Sequence, residues 1–235
     1  MIENDKILVN EIFESIDGEG YHSGKPTVFF RVVGCNLRCV WCDSVYTFKP
    51  EESSKWMSVE EAFNAVNAFD LKHITITGGE PLMEENKTWM MQFIDTLLEN
   101  EHSVDIETNG SIDYSDYKEK YGKAETDSRG NHHGVTLITD WKAPSSKMNK
   151  AMKIHNLSIL DKTDIVKIVV EDNDFKEVEK VLHSGTKAMI YISPVFGKVT
   201  MEKIPEFIMK NKKYENLACQ IQVHKIFWDP NKRGV

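Results

Sequence analysis

Apolar positions follow two rhythms along this chain. Short β-branched and aromatic runs alternate with longer runs whose apolar side chains recur every three or four residues. "ILVNEIF" (7–13) reads as a strand, and so does "TVFFRVVG" (27–34), apolar throughout except for Arg31. "SVEEAFNAVNAF" (58–69) reads as a helix, because Phe63, Val66 and Phe69 share a face. Ser58 with Glu61 three residues later is a capping-box signature at its start. "HITITGGEP" (73–81) is a β-branched strand ended by two glycines and a proline. "NKTWMMQFIDTLLEN" (86–100) is the clearest helix, with Trp89, Phe93 and Leu97 on one face and Met90, Ile94 and Leu98 beside it. Further strands are expected at 103–110, 134–142, 164–170, 187–195 and 218–227, and helices at 174–185 and 201–211. The polar stretch 111–133 breaks the rhythm and reads as a surface excursion.

This alternation, with strands that are nearly continuously apolar, predicts a parallel sheet covered by helices. About six such units fit an open or partial barrel better than a closed eightfold one. Chemistry in parallel sheets gathers at the carboxyl ends of the strands. The odd polar residues fall there: "GCNLRCVWCDS" after 27–34, "TGGEP" after 73–77, "ETNG", "TDWK" and "SPV".

Composition narrows the class. The 235 residues are 40% hydrophobic and 28% charged, as expected for one folded domain spanning 1–235. A net charge of −8 argues against gripping a nucleic-acid backbone, while leaving room for an anionic small molecule. No apolar run is long enough to span a membrane, and "MIENDKILVN" lacks the character of a secretory leader. A cytoplasmic, reducing setting is therefore expected, where clustered cysteines hold metal more often than disulfides.

Three of the four cysteines, Cys35, Cys39 and Cys42, crowd into eight residues. A structural zinc site takes four ligands, and the remaining cysteine, Cys219, lies far away in an apolar run. Three thiolates on a short loop suit a 4Fe-4S cluster with one iron left open. Gly78 and Gly79 bring backbone close to a ligand, and Pro81 fixes the turn that follows.

The Cys-x3-Cys-x2-Cys loop, with Trp41 before the last cysteine and "TGGEP" about 35 residues on, resembles the radical S-adenosylmethionine superfamily. That resemblance implies a partial (β/α)6-like barrel with some irregular elements. Within the superfamily, "FESIDGEGYHSGKPTVFFRVVGCNLRCVWCDS" (13–44), "ITITGGEP", "IETNG", "TDWKAPSS" and "QVHKIFWDPNKRGV" are similar to the 7-carboxy-7-deazaguanine synthase family. The likeness touches most of the chain outside 111–133 and 145–165.

The resemblance implies a lyase of queuosine and deazapurine biosynthesis. Its substrate is 6-carboxy-5,6,7,8-tetrahydropterin, and its cofactors are a 4Fe-4S cluster, S-adenosylmethionine and Mg2+. It also implies a homodimer, a flavodoxin- or ferredoxin-like electron donor, and a C-terminal "RGV" that closes over the site. Cys35, Cys39 and Cys42 become the cluster ligands and Ser44 the Mg2+ ligand. Trp41, Asp43, Gly78, Gly79, Glu107, Asp140, Lys142, Ser193, Pro194 and Val195 face S-adenosylmethionine. Ile16, Asp17, Gly18, Glu19, Arg31, Thr77, Gln222, His224 and Lys225 face the pterin. Asp17 stands where many members carry Gln, and of "DWK" only Lys142 matches the usual Ser-Pro-Lys. Arg31 is either a clamp on the substrate carboxylate or half of a structural ion pair. Two other readings remain: an activase that installs a glycyl radical in a partner protein, and a non-catalytic iron–sulfur or zinc module completed by Cys219.

Overall fold

The computed structural model describes residues 2–3, 5–126, 132–229 and 232–235. Eight strands carry its main sheet: β1 (Lys6–Ile16), β2 (Pro26–Val32), β3 (His73–Gly78), β4 (Ser103–Thr108), β5 (Val135–Asp140), β6 (Ile165–Val170), β7 (Met189–Pro194) and β8 (Leu217–Cys219). They lie side by side in chain order, with Ile2–Glu3 and Lys55–Met57 added on β1. From β2 to β8 every pairing is parallel. β1 runs antiparallel to β2, which departs from the all-parallel expectation. Sequential order without reversal is the topology of a barrel; no pairing joins β8 to β1 among the described residues, so the barrel stays open.

Helices cover the outer face: α1 (Val59–Asn67), α2 (Lys87–Glu99), α3 (Ser115–Tyr121), α4 (Ile154–Ile159), α5 (Phe175–Leu182) and α6 (Lys203–Lys210). The Ser58 hydroxyl accepts from Glu61 N while the Glu61 carboxylate accepts from Ser58 N, so the expected capping box starts α1. α2 buries Trp89, Met90, Phe93, Ile94 and Leu97 along one stripe. Phe93 and Trp89 press on Phe30 of β2 with ring centroids 4.7 and 6.0 Å away.

The strands are less uniformly apolar than their sequences suggest. Side chains of a strand alternate between faces. Val28, Phe30, Ile74, Ile76, Val104, Ile106, Val135 and Leu137, matched in register, point outward into the core under the helices. The alternate positions (Arg31, Thr75, Thr77, Asp105, Glu107, Asp140 and Lys167) face the barrel interior. That interior is polar, and it is where the chemistry sits.

Three expectations need correction. "ACQIQVHKIF" is not one strand: β8 stops at Cys219, and His224–Phe227 forms a short helix, α7. Gln222, His224 and Lys225 therefore do not alternate along a strand. The tertiary cause is visible at Gly20, whose N–H and C=O are both held by the Gln220 side chain at 2.7 and 3.0 Å. Val223 N then bonds Gly18 O at 3.2 Å, pulling the chain across the open side of the barrel. Second, the 111–133 stretch is more than a surface excursion. It contains α3 and a short hairpin of Glu125–Thr126 with His132–His133, and it buries Tyr114 and Tyr117; 127–131 lie outside the described residues. Third, Cys219 is exposed rather than packed as a small hydrophobe.

Candidate active site

A cavity of about 630 Å³ opens at the carboxyl ends of the strands, a size suited to small ligands. One wall is the loop after β2. Cys35, Cys39 and Cys42 all line the cavity, with Trp41, Asp43 and Ser44 beside them. The loop is held from two sides and braced within. Asn109 Nδ2 donates to Asn36 Oδ1 at 2.8 Å, Arg38 Nη1 donates to Cys35 O at 2.7 Å, and Val40 N reaches Ser146 O at 3.2 Å. Lys142 Nζ sits over the Trp41 ring, 5.2 Å from its centroid.

Burial pushes all three thiols up, Cys39 to about 11, so thiolates would form there on metal binding rather than before it. The three sulfurs do not converge tightly enough to close on one ion. The only such convergence of three donors among the described residues lies elsewhere, at His22, His73 and Asp105. Cys219 does not line the cavity. Both facts fit a multi-iron cluster bridging spread thiolates better than a four-ligand zinc module.

The "TGGEP" turn backs this wall. Gly79 N donates to Val32 O at 3.0 Å and Glu80 N to Gly34 O at 2.7 Å. A Cβ on Gly79 would fall 1.7 Å from Gly34 O, and one on Gly78, at φ +121°, 2.4 Å from Val32 N. These glycines therefore let the turn pack against the cysteine loop, a closer constraint than approach to a ligand. Gly79→Ala is expected to cost about 3 kcal/mol or more, since backbone must move. Gly122→Ala, at φ +63° and ψ −132° in open space, should cost only the strain of that glycine-favoured backbone, about 1–3 kcal/mol. Denaturant midpoints of the two apo-variants check the contrast.

The opposite wall carries charge. Arg31 donates through Nε to Glu11 Oε1 at 2.9 Å, and Tyr46 Oη donates to the same oxygen at 2.8 Å. The structural ion pair is thus present, and the guanidinium, between Phe13 and Tyr46, still lines the cavity. On the floor, Thr77 donates to Glu107 Oε2 at 2.6 Å. Lys167, from the middle of β6, reaches Glu19 Oε2 at 2.5 Å and lies 3.8 Å from Asp140, which pairs with Lys142 at 2.6 Å. Charges thus alternate from the 17–20 loop to the cysteine loop. Lys167 is raised well above the ordinary lysine value by Glu19, Asp140 and Glu107, which outweigh its burial. Burial raises Glu107. Burial, with Glu107 and Asp105 adding to it, pushes the Asp17 carboxyl up to about 7. Asp43, half exposed into the cavity, donates nothing but accepts from Lys225 at 3.0 Å, and that cation holds its carboxyl well below the usual range.

Every other residue expected at the site, from Ile16 and Gly18 to Val195, Gln222 and His224, also lines the cavity, except two. Ser193 is fully buried, its Oγ without a hydrogen-bond partner among the described residues, and Pro194 faces a small separate groove. The tail residues Arg233, Gly234 and Val235 line the mouth, with Arg233 stacked 3.6 Å above the Tyr46 ring centroid and paired to Glu51. Sequence reasoning missed Lys167, Glu80, Asn109 and Glu11. Lys167 carried the same signal as Arg31: a lone cation inside an aliphatic strand.

An open parallel barrel with a three-thiol loop at its carboxyl rim defines a protein of the radical S-adenosylmethionine type. Residues 30–128 match the model of the Radical SAM superfamily. The chain is 36% identical to the 7-carboxy-7-deazaguanine synthase of Clostridium acetobutylicum, over 97% of this chain and 98% of the relative. It is 31% identical to that of Leptospira interrogans over the whole of both chains. The crystal structure of QueE from Escherichia coli shares the fold at a TM-score of 0.67 and 19% identity, over 92% of this chain and 94% of that one. The chain belongs to the 7-carboxy-7-deazaguanine synthase family. No helix among the described residues is long and apolar enough to cross a membrane.

Proposed function

We propose that this protein converts 6-carboxy-5,6,7,8-tetrahydropterin to 7-carboxy-7-deazaguanine with release of ammonia, as a carbon–nitrogen lyase of deazapurine biosynthesis. The observation that carries the reading is the two-walled cavity: three thiols and a glycine turn on one side, an alternating row of buried charges on the other. Cys35, Cys39 and Cys42 would hold a 4Fe-4S cluster. Such a cluster supplies, with bound S-adenosylmethionine, a radical able to take hydrogen from carbon.

The protein's own groups do the rest. Two buried carboxylate oxygens on the wall, Glu19 Oε1 and Asp140 Oδ1, have no hydrogen-bond partner among the described residues. They are costly unless a ligand donor reaches them. Glu19 with Asp17 suits the amino-pyrimidine edge of a pterin. Asp140 and Lys142, adjoining the cysteine loop, suit S-adenosylmethionine, along with Trp41, Gly78, Gly79 and Val195. Arg31, held in place by Glu11, and Lys225, paired to Asp43, present cations to the substrate carboxylate. Ser44 Oγ donates to Asp43 Oδ1 at 3.1 Å, a pair of hard oxygens fit to hold Mg2+ with substrate and water. The tail at the mouth limits water access to the cavity. A low-potential flavodoxin- or ferredoxin-like donor and a homodimer complete the proposal.

The test is anaerobic. Reconstituted protein with reductant, S-adenosylmethionine, Mg2+ and the carboxy-tetrahydropterin should yield a deazapurine chromophore and ammonia. Cys39→Ala should lose iron and all product, whereas Cys219→Ala should keep both. Absence of product from fully loaded wild type would overturn the reading.

A further inference from the structure

The barrel holds a second cluster of metal-binding side chains, away from the thiols. The 17–25 loop folds back on itself, with Asp17 N bonding Lys25 O and Gly24 N bonding Asp17 O, both at 2.8 Å. Its turn drives His22 into the barrel beneath the active-site floor. There His22 meets His73, the first residue of β3, and Asp105, from the middle of β4. All three are buried, at 5%, 8% and 1% exposure.

Their donor atoms converge. His22 Nδ1 lies 3.0 Å and His73 Nε2 3.4 Å from the same oxygen, Asp105 Oδ2, and no pair of the three atoms exceeds 4.8 Å. An ion about 2.0–2.2 Å from each ligand fits a triangle of that size. Asp17 Oδ2, 4.0 Å from His73 Nε2 and accepting from Thr75 Oγ1 at 2.8 Å, borders the cluster on its cavity side. The far nitrogen of His73 is already oriented, since Nδ1 hydrogen-bonds Ser103 Oγ at 2.9 Å. Ligating histidines are ordinarily fixed through their other nitrogen in this way. Nε2 itself is buried and has no hydrogen-bond partner among the described residues. The two rings face one another at 3.6 Å with a tilt of 28°, so loading would pivot them apart until their lone pairs converge.

We infer that His22, His73 and Asp105, with Asp17 in reach, form a site for a divalent transition-metal ion of the zinc class, separate from the three-thiol loop. Two imidazoles with one or two carboxylates are the donor set such ions select over magnesium or calcium. The ion would tie the 17–25 loop to β3 and β4, and so fix the floor from which Glu19 rises. It is a structural site: none of His22, His73 and Asp105 lines the cavity, and no step of the reaction requires it.

The test removes competing thiolates. In the Cys35→Ala/Cys39→Ala/Cys42→Ala protein, zinc chloride added after chelator treatment should bind at one ion per chain, counted by mass spectrometry of the dialysed protein. The melting temperature should rise by about 5–10 °C at a hundredfold excess over Kd. Cobalt(II) should give the ligand-field spectrum of a nitrogen–oxygen site without thiolate charge transfer. Adding His22→Gln and His73→Gln should abolish the ion and the shift. In the cluster-loaded wild-type chain, zinc should appear beside four irons. No bound zinc and no cobalt spectrum in the triple variant, or undiminished binding after both histidine changes, overturns the site. The triple variant decides the matter even if the histidine variants do not fold.

Discussion

Lys167→Met is expected to lower the stability of the apo-protein by about 3–5 kcal/mol, because it strands buried carboxylates rather than removing an isolated charge. Lys167 Nζ stands 2.5 Å from Glu19 and 3.8 Å from Asp140, and Glu107 faces the same cation. Methionine matches the aliphatic stem, so packing changes little and the loss reports electrostatics. Lys167→Arg keeps the charge and should recover most of the loss. The pH dependence gives a second signature. Without the cation, the native state favours protonating the acids it has stranded. The variant's deficit, measured by urea midpoints, should therefore be largest near pH 8 and shrink toward pH 5, where protonation neutralises them. In the loaded enzyme the same change should raise KM for the pterin more than it lowers iron content, since Glu19 loses its fixed position while the cysteine loop is untouched.

That Lys167 escaped the sequence reading while Cys35, Gly79 and Lys142 did not is physically instructive. The rim of a parallel sheet is legible, because each strand's end marks a place where polar residues gather. The cysteine spacing and "TGGEP" added chemistry to that rim. The barrel's interior is harder to read. "HITIT" and "VDIET" alternate apolar and polar residues, yet the polar ones are small or scattered and the runs look continuously apolar. Only the register shows that Thr75, Asp105 and Glu107 share an inner face with Lys167. The C-terminal segment failed for a different reason. "CQIQVHK" alternates as a strand would, but Gln220 and Val223 bond the backbone of the 17–20 loop instead of a neighbouring strand. Such tertiary contacts leave no periodic trace. His22 and His73, separated by 50 residues of sequence, likewise met only in the fold.

Glu80→Ala is expected to destabilise the protein by about 3–5 kcal/mol, although the residue touches no ligand-facing surface. Glu80 is fully buried in the "TGGEP" turn. Its Oε1 accepts from Leu82 N at 2.9 Å and from the Thr108 hydroxyl at 2.8 Å, and its Oε2 accepts from Asn109 N at 2.7 Å. One side chain thus joins the glycine turn after β3 to the end of β4, where Asn109 steadies the cysteine loop. Removing it leaves three buried donors unpaired and a void. Glu80→Gln separates charge from shape. The amide oxygen can still serve Leu82 and Thr108, but its NH2 then opposes the Asn109 N–H, at a cost of about 1–3 kcal/mol. Burial outweighs the hydrogen bonds and raises the Glu80 carboxyl from 4.5 to about 6 in the folded protein. The sign follows from linkage. Between about pH 4.5 and 6 the native state holds this proton and the unfolded chain does not, so rising pH weakens the wild type by up to about 2 kcal/mol. Glutamine cannot titrate. The stability difference between wild type and Glu80→Gln, measured by urea unfolding of apo-protein at intervals from pH 4.5 to 7, should therefore narrow as pH rises and become constant above about pH 7. A difference independent of pH would mean that Glu80 is as easily ionised inside the protein as in the unfolded chain.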